Sequence, residues 1–170
     1  MKLKFLSFAA CALLACAAGT VSAQTTADDP DWKETEAPPP PAFDIGKLLT
    51  FDVSFNSALT YGVDPASISI STSDGIVRYV VVATSAIGAR NVMYEAIRCA
   101  TGEFKTYARY TPDGKWVSVT NPEWRSMFGS MPSKHALRFA RVAACDSAAP
   151  TTTVREMVSR LKNPTSAGTH

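Results

Sequence analysis

Apolar and polar positions alternate with a period of two through much of residues 51–119, and a helical period replaces the alternation near the C-terminus. Phe51, Val53 and Phe55 fall on one parity, which predicts a strand over 51–55, followed by a loop over 56–65. Ser67-Ile68-Ser69-Ile70-Ser71 alternates again. Ser73-Asp74-Gly75 then reads as a hairpin turn into a strand over 76–83. Val80-Val81-Val82 is apolar on both parities and predicts a central strand covered on both faces. Two further β-branched and aromatic runs, 91–99 and 104–110, follow across short Gly-containing breaks. Residues 74–110 therefore read as an antiparallel meander around which the rest is arranged. Pro112-Asp113-Gly114 turns the chain towards a last strand over 115–119.

Beyond Thr120 the signals are helical. Asn121-Pro122-Glu123 predicts a short helix over 122–128, and Pro132-Ser133 opens a second that runs towards Cys145. Thr153 and Glu156 form a capping box, Val154, Met157, Val158 and Leu161 repeat at helical spacing, and Asn163-Pro164 ends the run. Strands followed by helices predict an α+β fold. Its predominantly antiparallel sheet of about five strands is packed by helices from the C-terminal third. The predicted organisation is a leader over 1–23, a Pro-rich acidic tether over 24–42, one domain over 43–163 and a disordered tail over 164–170. Four consecutive prolines, Pro38 to Pro41, make the tether an extended spacer, and its Trp32 is expected to pack onto the domain.

The leader changes the reading of charge and cysteines. Lys2 and Lys4 precede an uncharged apolar run too short to span a membrane, and Val21-Ser22-Ala23 supplies the small residues of a cleavage site. Leu13-Leu14-Ala15-Cys16 offers a competing lipobox, with Cys16 lipidated and serving as a membrane tether. Both alternatives place the domain outside the cytoplasm, in the periplasm. Cleavage after Ala23 removes two lysines and leaves fifteen basic against fifteen acidic residues, so no basic balance points to nucleic acid. Only Cys99 and Cys145 then remain, and an even pair in an oxidising compartment predicts a disulfide.

Candidate chemistry concentrates in the meander. Arg78, Tyr94, Glu95, Arg98, Tyr107 and Arg109 are the candidate binding residues, with Arg78 or Arg98 available to a carboxylate of an anionic ligand or peptide. Alternation puts Arg78 and Arg98 on one parity and Glu95 on the other; a hairpin near Ile87 sets Tyr79 opposite Glu95, and the next brings Glu95 near Tyr107. Cross-strand pairing on a half-exposed face is the blander account of the same residues. No nucleophile elbow, HExxH or phosphate-cradling loop occurs, so no catalytic residue, metal or cofactor is assigned. His135 reads as a surface helix residue, and Trp116 and Trp124 as core or loop packing.

Asp74-Gly75-x-Val77-Arg78-Tyr79, Asn91-Val92-x-Tyr94-Glu95-x-x-Arg98-Cys99, Glu103-x-Lys105-x-Tyr107-Ala108, Gly114-x-Trp116 and the late Cys145 resemble the cryptic neisserial protein-like family. The similarity runs from about Trp32 to Cys145. It implies a small proteobacterial envelope protein, periplasmic or lipid-anchored, and carries over no catalytic residue. The expected function is a non-enzymatic periplasmic binding or accessory module whose partner is an envelope protein or peptide. The alternative is a small periplasmic hydrolase or inhibitor acting on envelope material, with Glu95 and Arg98 tested first.

Overall fold

A computed structural model describes residues 29–54 and 57–164. The predicted leader over 1–23, Cys16, Phe55 and residues 165–170 of the predicted tail lie outside the described residues.

The meander forms as the pattern predicts. Strands β4 (Ile76–Ser85), β5 (Arg90–Arg98) and β6 (Glu103–Tyr110) pair antiparallel in sequence order. The main sheet has eight strands among the described residues rather than about five, because each outer long strand carries two short partners end to end. On one side of the meander, β2 (Leu59–Val63) and β3 (Ser69–Ile70) cover different halves of β4, and β1 (Leu49–Phe51) pairs with β2. On the other side, β7 (Trp116–Ser118) and β8 (Arg125–Ser126) divide β6.

Several local expectations are overturned. The strand predicted over 51–55 ends at Phe51, with Val53 still half-buried against the core. The predicted loop over 56–65 contains β2, whose Gly62 masked the strand signal. A Cβ at Gly62 would stand 3.0 Å from the Leu48 Cβ, so the glycine admits close packing. Only Ser69–Ile70 of the stretch around Ser67 is strand, because a 3-10 turn occupies Pro65–Ser67. No helix forms over 122–128. Asn121 turns the chain at φ 50° rather than capping it, and Arg125–Ser126 pairs with β6 as a strand beyond the predicted last one.

The remaining elements follow. Helix α1 (His135–Phe139) continues as a π-helix over Ala140–Ala144, β9 (Cys145–Asp146) pairs with β10 (Ala149–Pro150), and α2 (Val154–Lys162) closes the chain. The Thr153 hydroxyl accepts from Glu156 N–H at 3.1 Å, as the capping pattern predicts. Cys99 and Cys145 are disulfide-bonded. None of the helices among the described residues is long and apolar enough to cross a membrane.

The sheet is covered on both faces, which is why Val80, Val81 and Val82 are all fully buried. Val77, Tyr79, Val81, Met93 and Ile97 pack under the helical segments, through Phe139, Ala143 and Met157 among others. Val80, Val82, Val92 and Tyr94 pack instead beneath Phe43, Leu48 and Trp116. Burying a valine side chain is worth ~1.5–3 kcal/mol, so the segment around Phe43 is held by the sheet and not merely by chain connectivity.

Candidate binding site

Alternation along β4 and β5 sends Arg78, Tyr94 and Arg98 to the face away from the helices, and Tyr79 and Glu95 to the helical face. Tyr79 stands opposite Glu95, as the hairpin length predicts. The next pairing departs from expectation. A bulge between Tyr94 and Glu95 shifts the register, so Glu95 meets Thr106 and not Tyr107. The extra residue is Tyr107, which joins Tyr94 on the far face at a ring separation of 5.4 Å. Bulges re-aim side chains in this way. Arg109 is exposed beside Met93 and Val117, apart from the other five candidates.

The far face is roofed by residues of the N-terminal arm. Trp32 lies under the Arg98 guanidinium, 3.7 Å from ring centroid to carbon, and donates its indole N–H to the Asp74 carbonyl at 2.9 Å. Trp124, from the segment between β7 and β8, meets Trp32 edge-on at 6.1 Å. Glu34 is seated between them and the sheet. Lys105 Nζ donates to its Oε2 at 2.5 Å, Trp124 Nε1 to the same oxygen at 3.0 Å, and the Tyr107 hydroxyl to Oε1 at 2.5 Å. Thr35 completes the strap, with its N–H and hydroxyl donating to Asp74 Oδ2 at 3.0 and 2.5 Å. Arg78 Nη2 donates to that carboxylate oxygen at 3.0 Å and to the Thr35 carbonyl at 3.4 Å.

Titration reflects these contacts. Burial acts to raise the pKa of both Asp74 and Glu34. Hydrogen bonds from Ser71, Thr35 and Arg78 outweigh it at Asp74, and those from Lys105, Tyr107 and Trp124 outweigh it at Glu34, so both sit below their ordinary values, Asp74 far below. Burial and the Glu34 hydrogen bond push the Tyr107 phenol well up, which keeps it a donor. Burial opposes the charge on Arg78, but Asp74 overcomes that opposition and raises its pKa. The result is a seat for one carboxylate beside an aromatic slot, built from cationic and N–H or O–H donors.

On the helical face a second polar cluster runs from the half-buried Ser133 and Thr106 to the buried His135 and Glu95. Glu95 is 1% exposed and accepts from Tyr79 at 3.1 Å and Thr106 at 3.1 Å, with His135 Nε2 at 2.8 Å. His135 is buried, not a surface residue, because it stacks on Tyr61 at 5.1 Å and fills the space between that ring and Phe104. Its Nδ1 lies 3.1 Å from the Ser133 hydroxyl, which also accepts from the His135 backbone N–H. Burial, followed by the Glu95 charge, drives the Tyr79 pKa well above its ordinary value, so Tyr79 too is a donor here.

Arg78, Arg98, Tyr94 and Tyr107 thus share one face, and Glu95 belongs to another. Glu34, Thr35 and Asp74 were missed as site residues, and His135 was misplaced. The available signal was an acidic residue two positions after Trp32, matched by a surplus of cations on β4 to β6. Among the described residues no group of three or more His, Cys, Asp or Glu is arranged to hold a metal.

A model of the CNP1-like family matches residues 27–162. The chain is similar to Cryptic neisserial protein 1 of Neisseria gonorrhoeae, with 29% identity over 149 residues, 78% of this chain and 72% of that protein. No solved structure matches.

Proposed function

The chain belongs to the CNP1-like family, and from that premise we propose that it is a non-enzymatic binding module of the bacterial envelope, exported to the periplasm, whose strapped sheet face recognises an acidic, aromatic-containing segment of another envelope protein. The observation that carries this reading is the seat of Glu34, where three donors from β6 and Trp124 converge on a carboxylate beside the Trp32–Arg98 stack. Such a seat recognises a chemical pattern, and residues 32–35 satisfy it from within the chain. The leader and the disulfide support an oxidising compartment, with Cys16 as an optional lipid anchor.

The arm is tethered, so its effective concentration is on the order of millimolar, and a partner must exceed that advantage or offer a better fit. The test uses the full chain carrying Trp32→Ala and Glu34→Ala, titrated calorimetrically with a peptide of residues 29–37. Binding with a Kd on the order of 100 µM is expected, lost when Lys105→Ala is added or when the peptide carries Gln for Glu34. A folded strap variant that ignores the peptide overturns the reading.

One observation favours a second reading, a small hydrolase. Ser133, His135 and Glu95 form a continuous hydrogen-bonded chain with the order of a nucleophile, base and orienting acid. Labelling of Ser133 by a fluorophosphonate probe, abolished by His135→Gln, is the outcome that reading requires.

A further inference from the structure

A second concave site lies beside the disulfide, remote in role from the strap. Its cavity of about 340 Å³ is floored by the Cys99–Cys145 bridge, Met127 and Leu137. Phe128 stands at the mouth, 63% exposed, yet it is not a stray side chain. A Cβ at Gly102 would lie 2.5 Å from the Phe128 Cε2, so the ring rests directly on a glycine that also needs φ +67°. The backbone around the ring is pinned by Met127 N–H to the Gly102 carbonyl at 2.9 Å and Phe128 N–H to the Ser126 hydroxyl at 3.2 Å.

Uncommon backbone geometries meet at this cavity. The π-helical segment Ala140–Ala144 supplies Ala140 and Arg141 to its wall, and Ser147 on its rim holds φ 57°. π-helical turns and left-handed non-glycine residues are both costly and concentrate at functional sites.

Charge at the rim is uneven. Arg160 is engaged by Glu156 at 2.5 Å and lies 3.8 Å from Asp146. Arg141 is exposed and makes no ion pair among the described residues. Arg141 is therefore the cation of this lining that no carboxylate among the described residues engages, and it stands beside an apolar floor.

We propose that this cavity binds a small amphipathic anion, a carboxylate on an apolar tail. The tail lies against Met127, Leu137 and the disulfide under the Phe128 ring, and the carboxylate meets Arg141. The volume falls at the lower end of the range for small-molecule sites. A free fatty acid and the C-terminal residue of an apolar peptide share this chemistry.

The test titrates the full chain with octanoate, octanol and acetate at fixed ionic strength. Octanoate is expected to bind at least tenfold tighter than either of the others. Arg141→Gln should reduce octanoate affinity about tenfold and leave octanol unchanged, while Phe128→Ala weakens both. A short peptide ending in a free leucine carboxylate that outcompetes octanoate tenfold assigns the site to a protein C-terminus; the reverse order assigns it to a free fatty acid. No saturable octanoate binding up to about 10 mM, or equal binding of octanol, overturns the proposal.

Discussion

The Glu34–Lys105 contact is the most exacting test of how the strap is held. The two groups approach to 2.5 Å with side chains 20% and 11% exposed. At an effective dielectric of about 20 their gross attraction is roughly 6–7 kcal/mol. Taking both ions out of water and ordering the lysine removes most of that. A net coupling of ~1–2 kcal/mol is left, in line with a charge-assisted hydrogen bond. The perturbation is a double-mutant cycle with Glu34→Ala and Lys105→Ala, each variant measured by urea unfolding at pH 7. Tyr107 and Trp124 still hold the carboxylate when Lys105 is removed, so Lys105→Ala alone should cost less than Glu34→Ala. A coupling under ~0.3 kcal/mol, within the additivity seen for independent sites, refutes the claim that this pair seats the arm.

Other consequences follow from the same geometry. Removing the disulfide by paired Cys99→Ser and Cys145→Ser should cost up to ~4 kcal/mol for a loop of 46 residues, read as a lower urea midpoint. His135→Ala leaves the 1%-exposed Glu95 carboxylate short of a partner and should cost ~3 kcal/mol, with Glu95→Gln in the same background recovering part of it. Acid should loosen the strap. Asp74 and Glu34 have folded pKa values below their ordinary 3.8 and 4.5, so their stabilising contribution is complete above those values and fades as pH falls through the lower folded ones. Trp fluorescence followed from pH 7 to 2 should show a transition below pH ~4, and Glu34→Gln should shrink its amplitude.

The meander was legible because its β-branched runs are long and its turns carry glycine, and hairpin length alone placed Tyr79 across from Glu95. Other features depend on distant partners. Residues 122–128 hold a good helix start, but pairing of Arg125–Ser126 with β6 prevails over that local preference. The bulge that turns Tyr107 away from Glu95 has no marker in the alternation. His135 looks like an ordinary polar helix residue until Tyr61, Phe104 and Glu95 are brought around it from three strands. The acidic, proline-rich arm has the composition of a spacer. Its seat is made of Asp74, Arg98, Lys105 and Trp124, none of them a sequence neighbour.

The central claim is that residues 32–35 occupy a recognition site from which they can depart without unfolding the domain. The most direct measurement is native-state hydrogen exchange of the Thr35 amide, which donates to Asp74 Oδ2, compared with the Val80 amide in the central strand. Protection of ~10–100-fold is expected at Thr35, lowered by Lys105→Ala, while Val80 exchanges only through global opening. Protection at Thr35 equal to that of Val80 would make the arm a fixed part of the fold, and no protection would mean that it does not occupy the site; either result contradicts the account.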